Sequence, residues 1–161
     1  MITRKVAMVG HWGVGKTSLV SQFVSQQFSE SYLATLGVKI DKKQVQLEED
    51  TVNMVLWDIA GAEDNFSVPL HYIKGAAGFL LVVDGTRPET LEAAKEIAAA
   101  VESAAPGIPF CLAVNKCDLE MTVSDEDLRN SGLDENWTRT SAKTGEGVEE
   151  IFSLLARKLM D

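Results

Sequence analysis

Gly10-His11-Trp12-Gly13-Val14-Gly15-Lys16-Thr17 is the stretch on which the fold turns. It fits the spacing GxxxxGK[ST] and directly follows an apolar, strand-like run from Val6 to Val9, the context that this spacing needs. Glycines let backbone N–H groups close around phosphate oxygens, and the helix that follows offers its positive N-terminus to the same charge. Lys16 then reaches the β and γ phosphates, and Thr17 offers a hydroxyl to Mg²⁺. At average residue usage a chain of this length would show the pattern by chance about once in two hundred tries. A nucleoside triphosphate is therefore the expected ligand, because a bare glycine turn needs neither Lys nor Thr at those offsets.

Outward from this loop, β-rich runs alternate with helical patterns. Strands are expected from Ile2 to Val9, near Val38 to Leu47 and from Thr51 to Ile59. The short Glu48-Glu49-Asp50 link makes the second and third runs an antiparallel hairpin. Gly78 to Val83 and Phe110 to Val114 are nearly continuous apolar runs, as central strands buried on both faces require. Thr86, with Glu89 three residues on, reads as a helix N-cap, after which Leu91, Ala94, Ile97, Ala98 and Val101 recur at helical spacing. Val148, Ile151, Phe152, Leu155 and Leu159 form one apolar stripe on a final helix. From Met121 to Asn136 the signal fades, with at most a short helix from Asp125 to Arg129. The expected fold is α/β of the P-loop NTPase type: a mixed, mostly parallel six-stranded sheet with helices on both faces, one domain over residues 1–161.

Composition narrows the partners. The 161 residues, 45% of them hydrophobic, suffice for one buried core, and a net charge of -9 disfavours nucleic acid and anionic membranes. The acidic runs Glu48-Glu49-Asp50, Asp125-Glu126-Asp127 and Glu149-Glu150 read as solvated turns and helix ends. Cys111 and Cys117 form no metal-ligand or disulfide pattern, which fits a reducing compartment. Neither a signal peptide at Met1-Ile2-Thr3-Arg4-Lys5 nor a prenylation box at the other end is visible, so a cytoplasmic protein without a direct membrane anchor is expected. A bacterial or archaeal protein, or a domain cut from a longer one, would show the same pattern.

The phosphate grip leaves kinases, ATPases and GTPases open. Asn115-Lys116-Cys117-Asp118 decides among them, because it follows a buried strand in the crevice where open α/β sheets bind ligands. The Asp118 carboxylate can accept from the N1–H and exocyclic amine of guanine. Adenine offers no such donor pair, and a buried carboxylate facing it would lose a few kcal/mol. Asn115 is suited to tying neighbouring loops together, and the alkyl stem of Lys116 to lying over the base.

With these residues in hand the chain resembles a small GTPase of the Ras and Rab superfamily over essentially its whole length. The motifs fall in order: Gly10 to Thr17, Thr35 within Tyr32-Leu33-Ala34-Thr35-Leu36-Gly37, Asp58-Ile59-Ala60-Gly61, Asn115-Lys116-Cys117-Asp118, and Ser141-Ala142-Lys143. The Thr35-Leu36-Gly37-Val38 wording is closer to Rab than to Ras. The resemblance implies that Gly13, Val14, Gly15, Lys16, Thr17 and Ser18 hold the phosphates. It also implies that Thr35 joins Thr17 on Mg²⁺ while Asp58 holds the ion through water. Further, the Gly61 amide meets the γ phosphate, Phe28 packs on the guanine, and Ala142, between Ser141 and Lys143, reads its O6. Lys16, Thr35 and Gly61 are the catalytic candidates. Effectors and regulators would read the loops Phe28–Ile40 and Gly61–Lys74 of a monomeric GTP/GDP switch.

Two positions depart from the family pattern. Where a glutamine normally orients the attacking water stands Ala62, which cannot hydrogen-bond water. Where the family keeps a small residue near the γ phosphate stands Trp12. No arginine lies between Phe28 and Asp64 to act as an intrinsic finger, so slow hydrolysis and resistance to a standard arginine-and-glutamine activator are expected. His11, Glu63, Asn65 and His71 are the candidate replacements for orienting water. The same departures motivate a rival, a non-hydrolysing guanine-nucleotide binding module. A P-loop kinase would need an arginine-bearing lid and an acceptor site, and neither is visible.

Overall fold

The computed structural model describes residues 1–26, 38–59, 70–133 and 136–160. The run before the glycine loop is strand β1 (Ile2–Gly10), which lies between parallel neighbours β3 (Thr51–Ile59) and β4 (Gly78–Asp84). Beyond β4 come β5 (Phe110–Asn115) and the two-residue β6 (Thr138–Arg139), also parallel. The edge strand β2 (Val38–Gln46) runs antiparallel to β3, in register from Val38 opposite Ile59 to Gln46 opposite Thr51. The order is β2-β3-β1-β4-β5-β6, the mixed six-stranded sheet expected from the sequence. Its hairpin closes tightly: Leu47 N donates to Asp50 O at 2.8 Å, and Thr51 N donates to the Asp50 carboxylate at 2.8 Å.

Strand periodicity decides which helix each side chain meets. Val6, Met8, Leu80, Val82, Cys111 and Ala113 face one way, against α1 (Lys16–Ser25) and α5 (Val148–Leu159). Ala7, Val9, Phe79, Leu81, Val83, Leu112 and Val114 face the other way. They meet α2 (Leu70–Ile73), α3 (Glu89–Ala104) and α4 (Asp125–Ser131). The expected stripe on α5 is buried throughout, and its Phe152 ring stacks on Phe23 of α1 with centroids 3.9 Å apart.

Two local expectations change. Thr86 does not cap α3, which begins at Glu89 without a side-chain cap. Its hydroxyl and its backbone N–H both donate to Asp84, at 2.6 and 2.8 Å, because a buried carboxylate is a stronger acceptor and needs donors more than a solvated helix end does. The weak region after Met121 contains a true capping box, in which Ser124 Oγ accepts from Asp127 N and Asp127 returns the bond to Ser124 N. Sequence periodicity misses β6 and α2 because two and four residues are too short to show a period.

Phe23 and Phe152 are almost fully buried, so truncating one leaves a void between α1 and α5. Phe152→Ala is expected to lower unfolding free energy by about 3–5 kcal/mol, measured by urea denaturation at fixed nucleotide concentration. A loss below about 1 kcal/mol would show that the two helices close over the gap.

Candidate functional site

The carboxyl ends of the central strands converge on one crevice. From the end of β1 the chain turns into residues 11–15 between Asp58 of β3 and Asp84 of β4, and the helices α1 and α3 pack on opposite faces of the sheet. This is the topological switch point at which open α/β sheets bind ligands.

The glycine loop is held from outside by three side chains. Arg87 Nη2 donates to Trp12 O at 2.9 Å, Lys116 Nζ to Gly13 O at 3.0 Å, and Asn115 Nδ2 to Val14 O at 2.9 Å. All peptide bonds are trans, so each planar unit that turns its carbonyl outward turns the next N–H the opposite way. The N–H groups of Gly13, Val14 and Gly15 thereby point away from Arg87, Lys116 and Asn115, as a donor set suited to anionic oxygens. Gly15 has φ +102°, and a Cβ there would overlap the Asn115 amide, so only glycine lets Asn115 approach the loop. Ser18 follows in the first turn of α1.

Lys16 is buried and donates to the carbonyls of Gly10 (3.1 Å) and His11 (3.3 Å). Burial pulls its ammonium down to about 8, against the opposing attraction of Asp58. Thr17 Oγ1 donates to Asp58 Oδ2 at 2.5 Å, and Asp58 is fully buried at the end of β3. One hydroxyl and one carboxylate at the mouth of an amide cradle are the hard oxygen donors that suit Mg²⁺, which takes few protein ligands and completes its shell with phosphate oxygens and water. The residues present therefore fit both a phosphate chain and its cation.

On the other flank, Asp84 is buried beneath two cations, with Arg87 Nε at 2.9 Å and Lys116 Nζ at 2.8 Å from Oδ2. Burial pushes its carboxyl up, but the hydrogen bonds from Lys116, Thr86 and Arg87 prevail and hold it below the ordinary carboxylate value. Thr140 Oγ1 donates to Asn115 Oδ1 at 3.1 Å, and Ser141 Oγ to Asp118 Oδ1 at 2.8 Å. Ala142 is buried, its carbonyl accepting from Gln22 Nε2 at 2.7 Å, whereas Lys143 is exposed. Burial, reinforced by the hydrogen bond to Glu146, pushes the Cys117 thiol up to about 11, so it stays protonated.

The structure thus ties Gly13 and Val14 to Lys116 and Asn115, sets Lys16 and Thr17 beside Asp58, joins Asp118 to Ser141, and ties Ala142 to Gln22 of α1. Asp118 itself is exposed, not the buried carboxylate expected from the sequence, because its turn lies beyond the end of β5. Phe28, Thr35, Gly61, Ala62, Glu63 and Asn65 lie outside the described residues. Sequence reasoning did not select Asp84, Thr140 or Arg87. An acid closing the apolar run Gly78–Val83 was the available signal for Asp84. Arg87 carries no such signal, because the family pattern leads to an arginine between Phe28 and Asp64, whereas this one reaches the loop from the β4–α3 corner.

Comparison with known proteins agrees with this geometry. The sequence model described as Ras family matches residues 5–161. Ras-related protein Rab-13 of Bos taurus is 32% identical over 163 residues, covering 97% of this chain and 79% of that protein. Rab-13 of Rattus norvegicus is 32% identical over 161 residues, with the same coverage. Ras-related protein RABF2b of Arabidopsis thaliana is 34% identical over 163 residues, covering 98% of this chain and 82% of that protein. With its glycine loop, its Asn115–Asp118 segment and its Rab-like relatives accounted for together, the chain belongs to the Ras family of GTP-binding GTPase switches.

Proposed function

We propose that residues 1–161 form a single, monomeric, cytoplasmic G domain that binds GDP and GTP with Mg²⁺ and hydrolyses GTP slowly. The observation that carries this reading is the physical link between phosphate cradle and base reader. Asn115 and Lys116, which hold the Val14 and Gly13 carbonyls, lie in the same Asn115–Asp118 turn that presents the guanine-selective carboxylate. Gly13, Val14, Gly15 and Ser18 supply amides to the phosphates, Lys16 their counter-charge, and Asp118, Ser141, Ala142 and Lys143 surround the base, with Phe28 against its face. Thr17, Thr35 and Asp58 would hold Mg²⁺, which when bound neutralises charge developing on the phosphate oxygens. Among the described residues no helix is long and apolar enough to cross a membrane.

Slow hydrolysis follows from Ala62. Lys16 and the loop amides stabilise charge, and Thr35 and Gly61 would fix the γ phosphate. No side chain at position 62, however, can orient the attacking water. Effectors and regulators would read the loops Phe28–Ile40 and Gly61–Lys74 as they respond to that phosphate.

Titration calorimetry with magnesium is expected to show at least about a hundredfold preference for GDP over ADP, since Asp118 has no donors to meet on adenine. Equal affinities would remove the assigned base reader. In single-turnover assays Ala62→Gln is expected to raise hydrolysis at least about tenfold. An unmodified chain that already matches ordinary small GTPases would overturn slow turnover, and one releasing no phosphate would favour the binding-module reading.

Lys16 gives a pH-dependent signature. With its pKa near 8 in the fold, stripped protein holds this amine largely neutral at about pH 9 and charged at about pH 6.5. Docked phosphates favour the ammonium, so GDP binding should take up more protons at the higher pH than at the lower, where the amine is already charged and the partly protonated terminal phosphate can only give protons up. Calorimetry in two buffers of different ionisation enthalpy reads this directly. Equal proton uptake at both pH values would contradict it.

A further inference from the structure

We propose that Arg87 is a positioning residue of the phosphate loop: by holding the Trp12 carbonyl outward it sets the Gly13 amide hydrogen toward the bound phosphates. This rests on the nucleotide-binding reading and adds to it a residue from outside the recognised motifs. Arg87 stands at the corner between β4 and α3, far from the loop in sequence, and is fixed at two points. Its Nε donates to the buried Asp84 Oδ2 at 2.9 Å, and its Nη2 donates to Trp12 O at 2.9 Å. A guanidinium is suited to this because its forked, planar donors can serve two acceptors from one rigid group. Trp12 C=O and Gly13 N–H belong to the same trans peptide unit, so anchoring the first on the outside points the second inward.

Gly13 is shaped around this contact. Its φ is +76°, and a Cβ there would lie 3.1 Å from Arg87 Nη2, so a larger residue would both strain the backbone and push the guanidinium away. Arg87 also completes a series. Asn115 and Lys116 fix the Val14 and Gly13 carbonyls, and Arg87 donates to the Trp12 carbonyl just where the loop carries a bulky indole. Asp84 links the parts, because the carboxylate oxygen that holds Arg87 also holds Lys116. A change at the Arg87 corner would thus reach the loop directly and again through Lys116.

Two measurements on Arg87→Ala, Arg87→Gln and Arg87→Lys test the assignment. Release of a fluorescent GDP analogue should quicken about tenfold in the Ala and Gln variants. Arg87→Lys, which keeps the charge but lacks the fork, should fall between them and the unmodified chain. Lys95→Ala, on the exposed part of α3, should leave release unchanged. The second readout is the Gly13 amide proton resonance, compared between unmodified protein and the variants with and without GDP; it should move in Arg87→Ala and Arg87→Gln. A role confined to bracing the start of α3 would leave that resonance in place. Unchanged release, or faster release with an unmoved Gly13 resonance, overturns the proposal. Should the unmodified chain bind no GDP, the functional reading falls, while the Gly13 comparison on stripped protein still judges the clamp.

Discussion

One buried carboxylate, Asp84, organises the corner on which the glycine loop rests. It terminates the wholly buried strand β4, where an unpaired charge would be untenable. Its oxygens are met by the Thr86 hydroxyl and amide, the Arg87 guanidinium and the Lys116 ammonium. The desolvation cost is offset only because these donors are present together, and the same two cations then reach the carbonyls of Trp12 and Gly13. A demand created by burying one charge thus becomes a constraint on loop geometry.

The sheet explains why this constraint falls where it does. β1 is central, with β3 on one side and β4 on the other, so the loop leaving β1 is bounded by the ends of both neighbours. Helices α1 and α3 cover opposite faces, the arrangement in which open α/β sheets hold ligands at their strand ends. The charge-bearing edge strand β2 lies at the far side of β3, where the exposed Lys39 and Lys42 discourage edge-to-edge pairing and the half-buried Lys43 lies over the Phe23 ring. Apolar packing therefore fixes the strands, and the strand ends fix the polar groups.

Local chemistry made much of this legible in the sequence. The loop, the hairpin at Glu48-Glu49-Asp50, the doubly buried strands β4 and β5 and the α5 stripe each carry a short-range signature of residue type and spacing. Long-range polar pairing carries none. Thr86 looked like a helix cap because its neighbours in sequence fit one, yet Asp84 claims it. Arg87 and Trp12 are 75 positions apart, and their hydrogen bond exists only because β1 and β4 are adjacent. Asn115 is the instructive middle case. Its motif suggested loop tying, but the Val14 carbonyl and the Thr140 hydroxyl as its two partners emerge only from the fold.

Affinity at such a site is a difference between two satisfied arrangements. Lys16 already donates to Gly10 and His11, and Thr17 already donates to Asp58, so the proposed phosphate and cation would compete with internal hydrogen bonds rather than meet bare groups. The competition is uneven. A neutral carbonyl gives a buried ammonium less than an anionic phosphate does, and burial has already pulled Lys16 down to about 8. The outward carbonyls at Trp12, Gly13 and Val14 face no such rivalry, because their donors lie on the opposite side of the peptide planes from the proposed ligand. Among the described residues of the site, Lys16, Thr17 and Asp58 are then the ones that would exchange partners, while the carbonyls at Trp12, Gly13 and Val14 would keep theirs, which is how preorganisation leaves more of the gross interaction energy for binding.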